Sequence, residues 1–261
     1  MVNERGLRDS QDSLLPAAVA EPEFEGFSIG VKYSIHGAGS TTLAETLAKI
    51  LGLPHVYAGK IMRQKAVSAG YATSLDDEAG LLRYEGEKVT PEIDRQIDHE
   101  VVTQARQGCV FEGPAAVMLS ETDELVALNP KCLNFVILLT CGEQQAAKRV
   151  LTREEIKNPT NAQISQKIED LRKRQAENIQ NWVNAYGGGD LIDPVVRDRA
   201  EQTVRQRLYR HYDLKIDTTH LNQDQVVAEI LNHILKNKML SPLLSAEQRK
   251  TIKILSKILK F

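Results

Sequence analysis

The chain has 261 residues, of which 42% are hydrophobic, and these values predict one elaborated α/β domain. Its 33 basic and 35 acidic residues give a net charge of −2, which argues against nucleic-acid binding and favours small-molecule chemistry. Cys109, Cys132 and Cys141 are widely spaced and odd in number, so we expect buried, reduced thiols rather than disulfides or a zinc site. Residues 1–26 lack the pattern of a secretory leader, and no run approaches the roughly 18 apolar residues of a membrane span. We therefore expect a cytoplasmic protein.

The first folded elements follow a tail. Residues 1–26 are mostly polar, include two prolines, and predict a flexible segment outside the fold. Residues 27–33 alternate in polarity and predict a strand, while residues 43–51 predict a helix. The loop between them, residues 34–42, reads S-I-H-G-A-G-S-T-T.

This loop has the composition of a phosphate-binding loop without its lysine. Such loops hold phosphate with backbone amides at a helix start, and Gly37 and Gly39 would let the main chain approach the anion. In the pattern GxxxxGK[ST], Ser34 replaces the first glycine and Ser40 replaces the lysine, while Thr41 keeps the hydroxyl that ligates magnesium. The local sequence is equally compatible with a plain strand-to-helix connection.

The rest of the chain alternates between strands and helices. This alternation predicts a parallel sheet with helices on both faces. Two polar helical inserts, at about 74–107 and about 153–210, interrupt it; they could close over a substrate or simply be solvated helices. The further predicted strands are 55–57, 109–111, 134–140 and 214–217, and the further predicted helices are 60–69, 143–151 and 223–236.

Six stretches in order carry a resemblance to a known family over roughly residues 31–234. The chain resembles a cytidylate kinase of the archaeal type, within the nucleoside monophosphate kinases. The stretches are G-A-G-S-T-T-L-A-E-T-L-A at 37–48, L-G-L-P-H-V-Y-A-G-K-I-M-R-Q-K-A at 51–66, P-E-I-D-R-Q-I-D at 91–98, V-F-E-G at 110–113, L-R-K-R at 171–174 and Y-D-L-K-I-D-T at 212–218.

The resemblance implies a P-loop kinase fold in residues 27–238: a five-stranded parallel sheet flanked by helices. It places an insert that binds the acceptor monophosphate at about 60–107 and a lid at about 153–210. The implied reaction is ATP-dependent phosphoryl transfer to CMP or dCMP, with Mg²⁺ as cofactor. Positioning and charge neutralisation supply most of the rate enhancement in such reactions.

The resemblance also implies roles for individual residues. Thr41 and Glu112 would hold magnesium, and the catalytic arginines would be Arg172 and Arg174 in the lid, with Arg153 just before it. The nucleotide cradle would comprise Gly37, Ala38, Gly39, Ser40, Thr41 and Thr42, and the acceptor would contact Gly59, Arg63, Asp94, Arg95 and Gly113.

Each assignment has a plainer alternative. Arg63 could lie on a solvated helix face, and Asp94 and Arg95 could pair with helix neighbours. Glu112 could be an ordinary polar residue at a strand end. The lid arginines could form salt bridges within their own helix, for example with Glu169.

Several positions depart from the family pattern and leave two hypotheses. Besides Ser34 and Ser40, Pro114 stands where the family has an acceptor-binding arginine, and Asn181 stands at the place of a further lid arginine. The arginine-rich stretch 187–210 could replace these cations or form the surface of an amphipathic helix. The protein is then either an active kinase or a weakened relative that works as a nucleotide-binding or interaction module.

The last residues, 239–261, predict a basic amphipathic helix beyond the resemblance. Such a helix could pack on its own domain, join a homodimer or another protein, or lie on an anionic membrane. Ile252, Leu255, Ile258 and Leu259 are predicted on its apolar face, against Arg249, Lys250, Lys253, Lys257 and Lys260.

Overall fold

The computed structural model describes residues 26–113, 133–186 and 212–259. The five strands in these residues are β1 Ile29–Tyr33, β2 His55–Tyr57, β3 Val110–Glu112, β4 Phe135–Thr140 and β5 Leu214–Asp217. They form one sheet in the order β2-β3-β1-β4-β5, and every neighbouring pair is parallel. The predicted five-stranded parallel sheet is therefore confirmed.

Helices connect these strands. Helix α1, Ser40–Leu51, begins three residues earlier than predicted, because Gly39 adopts a left-handed φ of 96° and starts the helix inside the glycine-rich loop. The helices are α1 Ser40–Leu51, α2 Ala58–Ser68, α3 Glu78–Glu87, α4 Pro91–Arg106, α5 Glu143–Arg153, α6 Asn161–Tyr186, α7 Gln223–Lys236 and α8 Ala246–Ile258, with a 3₁₀ turn at Ser241–Leu243.

The sheet is buried on both faces, as a parallel sheet requires. Val31 of β1 is fully buried in a cluster with Leu47 of α1 and Ile230 of α7. Phe111 of β3 points to the other face, where it packs with Ile61 of α2. Side chains on the two faces of the sheet thus anchor helices on opposite sides of it.

Helices α3 and α4 lie in the first predicted polar insert, and α6 lies in the second. Helices α2 to α4 lie between β2 and β3, and α5 and α6 lie between β4 and β5, with α4 in contact with α6. Within the described part of the chain, no helix is long and apolar enough to cross a membrane. The predicted tail up to residue 25, Pro114 and the stretch 187–210 lie outside the described residues.

Helix α8 packs on its own domain, against α1 and α7. Ile252 is fully buried there, and the side-chain amide of Gln248 donates to the carbonyl of Leu51 at the end of α1, at 2.7 Å. The prediction for Ile258 was wrong, because its side chain is 67% exposed. It lies six residues beyond Ile252, which turns it well away from the packed face of a helix with 3.6 residues per turn.

Candidate active site

The glycine-rich loop connects β1 to α1 at the carboxyl edge of the sheet. Gly37 and Gly39 have φ values of 94° and 96°, a region that favours glycine. A Cβ atom on Gly37 would lie 2.7 Å from the carbonyl oxygen of Ala146, so the loop packs tightly on α5. Around Gly39, by contrast, none of the described atoms comes within 4 Å of a Cβ position, and no described side chain caps α1. The first amides of α1 therefore face open space, which suits a bound anion.

Two hydroxyls at the start of α1 converge on one carboxylate. Ser40 Oγ and Thr41 Oγ1 each donate to Oε1 of Glu112, both at 2.7 Å. Glu112 ends β3 and is only 9% exposed. Burial alone would raise the pKa of Glu112, but the His55 imidazole and the two hydroxyls outweigh it and hold the pKa below its usual value. The carboxylate is therefore ionised at neutral pH.

This arrangement fits a magnesium ion that arrives with a polyphosphate. Because Thr41 gives its hydrogen to Glu112, the lone pairs of its hydroxyl oxygen stay available to a cation. Over the described ranges of the chain, no cluster of three or more His, Cys, Asp or Glu side chains could hold a metal alone. Magnesium typically uses one or two carboxylates and completes its shell with phosphates and water. The donor set thus suits magnesium in a nucleotide complex.

Ser40 differs in function from the lysine whose place it occupies. Its side chain is nearly buried, and its hydroxyl donates to Glu112 rather than pointing into the open space above the loop. The loop therefore gains a second anchor for the carboxylate and loses a phosphate-binding cation.

A partly apolar cavity lies beside the loop, and Arg149 of α5 lines it. Arg149 donates through Nη1 to Thr218 Oγ1 at 3.0 Å and through Nη2 to the Leu221 carbonyl at 3.3 Å. Thr218 in turn donates to the carbonyl of Ala38 at 3.0 Å, which ties the loop to the end of β5. The lining residues are Ala38, Gly39, Thr42, Leu43, Leu139, Arg149, Thr218, Leu221, Asn222, Gln223 and Val226.

No role for Arg149 is predicted from the sequence. The sequence feature that could have indicated one is the spacing of four residues between Arg149 and Arg153. This spacing places both side chains on one face of α5.

His36 lies in the middle of the loop and contacts helix α6. Its ring packs against Tyr33, with centroids 4.9 Å apart, and its Nε2 lies 3.3 Å from the side-chain nitrogen of Asn178. The loop and the predicted lid therefore touch at this histidine, which sequence analysis did not select.

Two of the predicted catalytic arginines, Arg174 and Arg153, affect the pKa of His36 through their charges. Burial, with the positive charges of Arg174 and Arg153, lowers the pKa of His36 to about 4, while the negative charge of Glu112 opposes the change. His36 is therefore neutral at pH 7. Arg174 from α6 and Arg153 from α5 lie close enough to the loop for their charges to act there.

Arg172 has a different neighbour. It binds Glu143 of α5 through two hydrogen bonds, Nε to Oε1 at 2.9 Å and Nη2 to Oε2 at 2.7 Å, and lies 3.8 Å from Glu169. The salt-bridge alternative thus describes Arg172, although its main partner is on another helix. Residues two apart on a helix lie on nearly opposite sides, which explains why Arg172 and Arg174 have different surroundings.

The predicted acceptor-side residues are held within their own insert. Arg63 Nη1 donates to the carbonyl of Leu75 at 3.0 Å, and Arg95 Nη2 pairs with Glu92 at 2.8 Å. Asp94 is half-buried, and burial raises its pKa. These contacts hold both arginine side chains on the insert.

Two predicted glycines adjoin the sheet edge. Gly113 follows Glu112 with a φ of 133°, and its amide donates to the carbonyl of Val31 at 3.1 Å. Gly59 is the second residue of α2, and an added Cβ there would lie 3.3 Å from the ring of Tyr57. The absence of a side chain at these positions thus lets the rings of Tyr57 and Phe111 lie close to the backbone where the insert leaves the sheet.

Comparison with known proteins identifies the family. A family model described as an AAA domain matches residues 33–166, which include the loop, Glu112 and α5. A cytidylate kinase of Thermococcus kodakarensis is 31% identical over 196 residues, covering 74% of this chain and 80% of that one. The cytidylate kinase of Methanopyrus kandleri is 28% identical over 228 residues, 85% of this chain and 98% of that one. Together with the sheet order and the loop, these matches show that the chain belongs to the cytidylate kinase-like P-loop kinases.

Proposed function

We propose that the protein transfers the γ-phosphoryl group of ATP to a nucleoside monophosphate, with CMP or dCMP as acceptor and CDP or dCDP as product. The observation that carries this proposal is the hydrogen bond of 2.7 Å from the exposed Thr41 to the buried carboxylate of Glu112, at the open start of α1. A hydroxyl and an ionised carboxylate held together at the end of a glycine-rich loop match the requirements of magnesium-nucleotide chemistry. The relatives named cytidylate kinases support cytosine as the acceptor base.

The donor nucleotide would occupy the loop and the adjoining cavity. Its phosphates would bind amides of residues 37–42 other than that of Ala38, which donates to the carbonyl of Ile35 at 3.2 Å. Thr41 with Glu112 would hold the magnesium ion. Bound magnesium neutralises charge on the phosphates. The cavity beside Arg149 and Thr218 would take the nucleoside, because it combines apolar walls with a few fixed polar groups.

The acceptor would lie between the sheet edge and the first insert. Gly59 and Gly113 leave room for it there, and Asp94 supplies a polar group. Arg63 and Arg95 would bind the acceptor phosphate, since an arginine can clamp phosphate oxygens with two parallel hydrogen bonds.

The transferring phosphoryl group would be stabilised mainly by Arg174 and Arg153. Both already act on the loop electrostatically, as the lowered pKa of His36 reflects. Arg172 would join them only after its pair with Glu143 opens.

A weakened kinase that binds nucleotide without efficient transfer is the second candidate. The specific observation in its favour is that Ser40 replaces the loop cation and donates to Glu112. Loss of one transition-state contact can lower a rate by roughly two to three orders of magnitude.

The test is release of ADP from Mg-ATP with CMP, dCMP, UMP and AMP supplied in turn. Thr41→Ala should abolish most turnover because it removes the hydroxyl beside Glu112. Thr152→Ala is the matched control, since Thr152 is an exposed threonine on α5 that bonds only its own helix backbone in the described residues.

The outcomes separate the candidates. Turnover with CMP or dCMP that Thr41→Ala removes and Thr152→Ala preserves supports the kinase. Binding of Mg-ATP without turnover on any acceptor favours the nucleotide-binding module. Turnover with AMP alone would overturn the cytidylate assignment.

A further inference from the structure

His55 is a polar residue for which sequence analysis predicted no role. It begins β2, stacks on Tyr57 with ring centroids 5.0 Å apart, and has only 14% of its side chain exposed. Its Nε2 is buried and has no hydrogen-bond partner within the described parts of the chain. Buried polar atoms without partners are uncommon because each one carries a desolvation penalty. The position of this nitrogen therefore needs an explanation.

The explanation lies in the neighbouring carboxylate. Nε2 of His55 is 3.6 Å from Oε2 of Glu112, while the other oxygen, Oε1, accepts the hydrogen bonds of Ser40 and Thr41. Three side chains from two elements, α1 and β2, thus surround one carboxylate on β3. The imidazole lies beside the oxygen that the two hydroxyls do not contact.

The charge of Glu112 determines which ring nitrogen of His55 carries the hydrogen. An ionised carboxylate only accepts hydrogen bonds, so a lone pair on Nε2 would be repelled by Oε2. The hydrogen is therefore assigned to Nε2. A separation of 3.6 Å exceeds a hydrogen-bond length of about 3 Å, so a small rotation of the carboxylate would complete the bond.

We propose that His55 is a positioning residue for Glu112: its Nε2–H holds Oε2 and keeps Oε1 beside Thr41, in the orientation that receives magnesium. This inference rests on the proposed function, because it assigns Glu112 and Thr41 to the magnesium of a bound nucleotide. Groups that orient a metal ligand in this way typically change metal affinity by roughly ten- to a hundredfold when they are removed.

Two amide substitutions distinguish the nitrogens of the ring. His55→Gln places a donor near the position of Nε2, whereas His55→Asn places one near the position of Nδ1. His55→Met fills similar space without any donor and serves as a second loss-of-donor variant if His55→Asn does not fold. For each protein, ATP binding is measured without magnesium and during a magnesium titration, and the thermal midpoint is recorded.

We expect His55→Asn and His55→Met to need about tenfold more magnesium for half-maximal binding, with His55→Gln close to the wild type. ATP affinity without magnesium should be the same in all proteins, since the loop amides are unchanged. Equal magnesium dependence in all four proteins would overturn the positioning role, as would an equal loss of magnesium-free affinity in every variant. Wild-type protein that binds ATP without any effect of magnesium would overturn the proposed function and this inference together.

Discussion

The loop side and the lid side of the site differ in how firmly their charges are held. On the loop side, Glu112 is 9% exposed and is surrounded by Ser40, Thr41 and His55. On the lid side, the pair of Arg172 with Glu143 leaves 57% and 44% of the side chains exposed. Buried hydrogen bonds to a charge are strong, whereas exposed ion pairs are screened by solvent. The difference indicates that the carboxylate on the loop side is held firmly in place, whereas the ion pair on the predicted lid can open and reform.

Glu112 on the loop side should be the position most sensitive to substitution. Glu112→Gln keeps the shape of the side chain and one oxygen for the hydroxyls, but it removes the negative charge that would face magnesium. We expect turnover with CMP to fall about a hundredfold or more. Steady-state kinetics over a range of magnesium concentrations would measure it. Glu247→Gln on α8 is the control, and a loss of less than about threefold at Glu112 would contradict the magnesium role.

His36 of the loop contacts Asn178 of α6, and its position predicts that acid destabilises the folded protein. The pKa of His36 falls from 6.5 to about 4 in the folded protein, so acid favours the unfolded state, which binds the proton more readily. The free energy of unfolding is therefore highest above pH 6.5, where His36 is neutral in both the folded and the unfolded state, and it decreases as the pH falls towards 4. The decrease due to His36 amounts to about 3 kcal/mol.

Denaturant unfolding between pH 7 and 4 would measure this effect against His36→Gln, which does not titrate and can still contact Asn178. The wild type should lose more stability than the variant over that interval. Parallel curves would show that His36 is not desolvated between the loop and the lid.

The two lid arginines should differ in how much they contribute to turnover. Arg174→Gln should lower kcat about ten- to a hundredfold, because Arg174 already acts on the loop. Arg172→Gln should lower it by less than about threefold, since Arg172 is held by Glu143. Single-turnover kinetics with saturating Mg-ATP and CMP would measure both. Equal losses would show that the lid closes with both arginines on the phosphates.

The exposed pair of Arg172 and Glu143 should be the least sensitive to substitution. Glu143→Gln removes the main partner of Arg172, but exposed ion pairs contribute little to stability. We expect a thermal midpoint within experimental error of the wild type and turnover within about twofold. A large rise in turnover would mean that Glu143 normally withholds Arg172 from the substrate.

The sequence predicted the sheet well because its strands carry strong apolar patterns. Strand β5 and helix α7 begin and end at the predicted residues. The start of α1 was missed because it depends on the φ of Gly39, whereas the pattern of apolar side chains begins only at Leu43. Backbone conformation at a glycine leaves no trace in hydrophobic periodicity.

The site was predicted less completely because its contacts join distant parts of the chain. The sequence showed Ser40 as a missing cation, but not that its hydroxyl would reach Glu112, 72 residues later. His36 meets Asn178 across 142 residues of chain, and nothing near either residue indicates that contact. Long-range partners of this kind follow from tertiary packing, which local patterns do not encode.

The attachment of α8 has a consequence for the nucleotide site. Helix α1 opens onto the phosphate loop at one end and receives the side chain of Gln248 at the other. Local opening of α8 would expose the apolar face that Ile252 covers and release the far end of α1. The C-terminal helix and the phosphate loop are therefore expected to belong to one cooperative unit, in which ligand bound at the loop also protects a helix on the back of the domain.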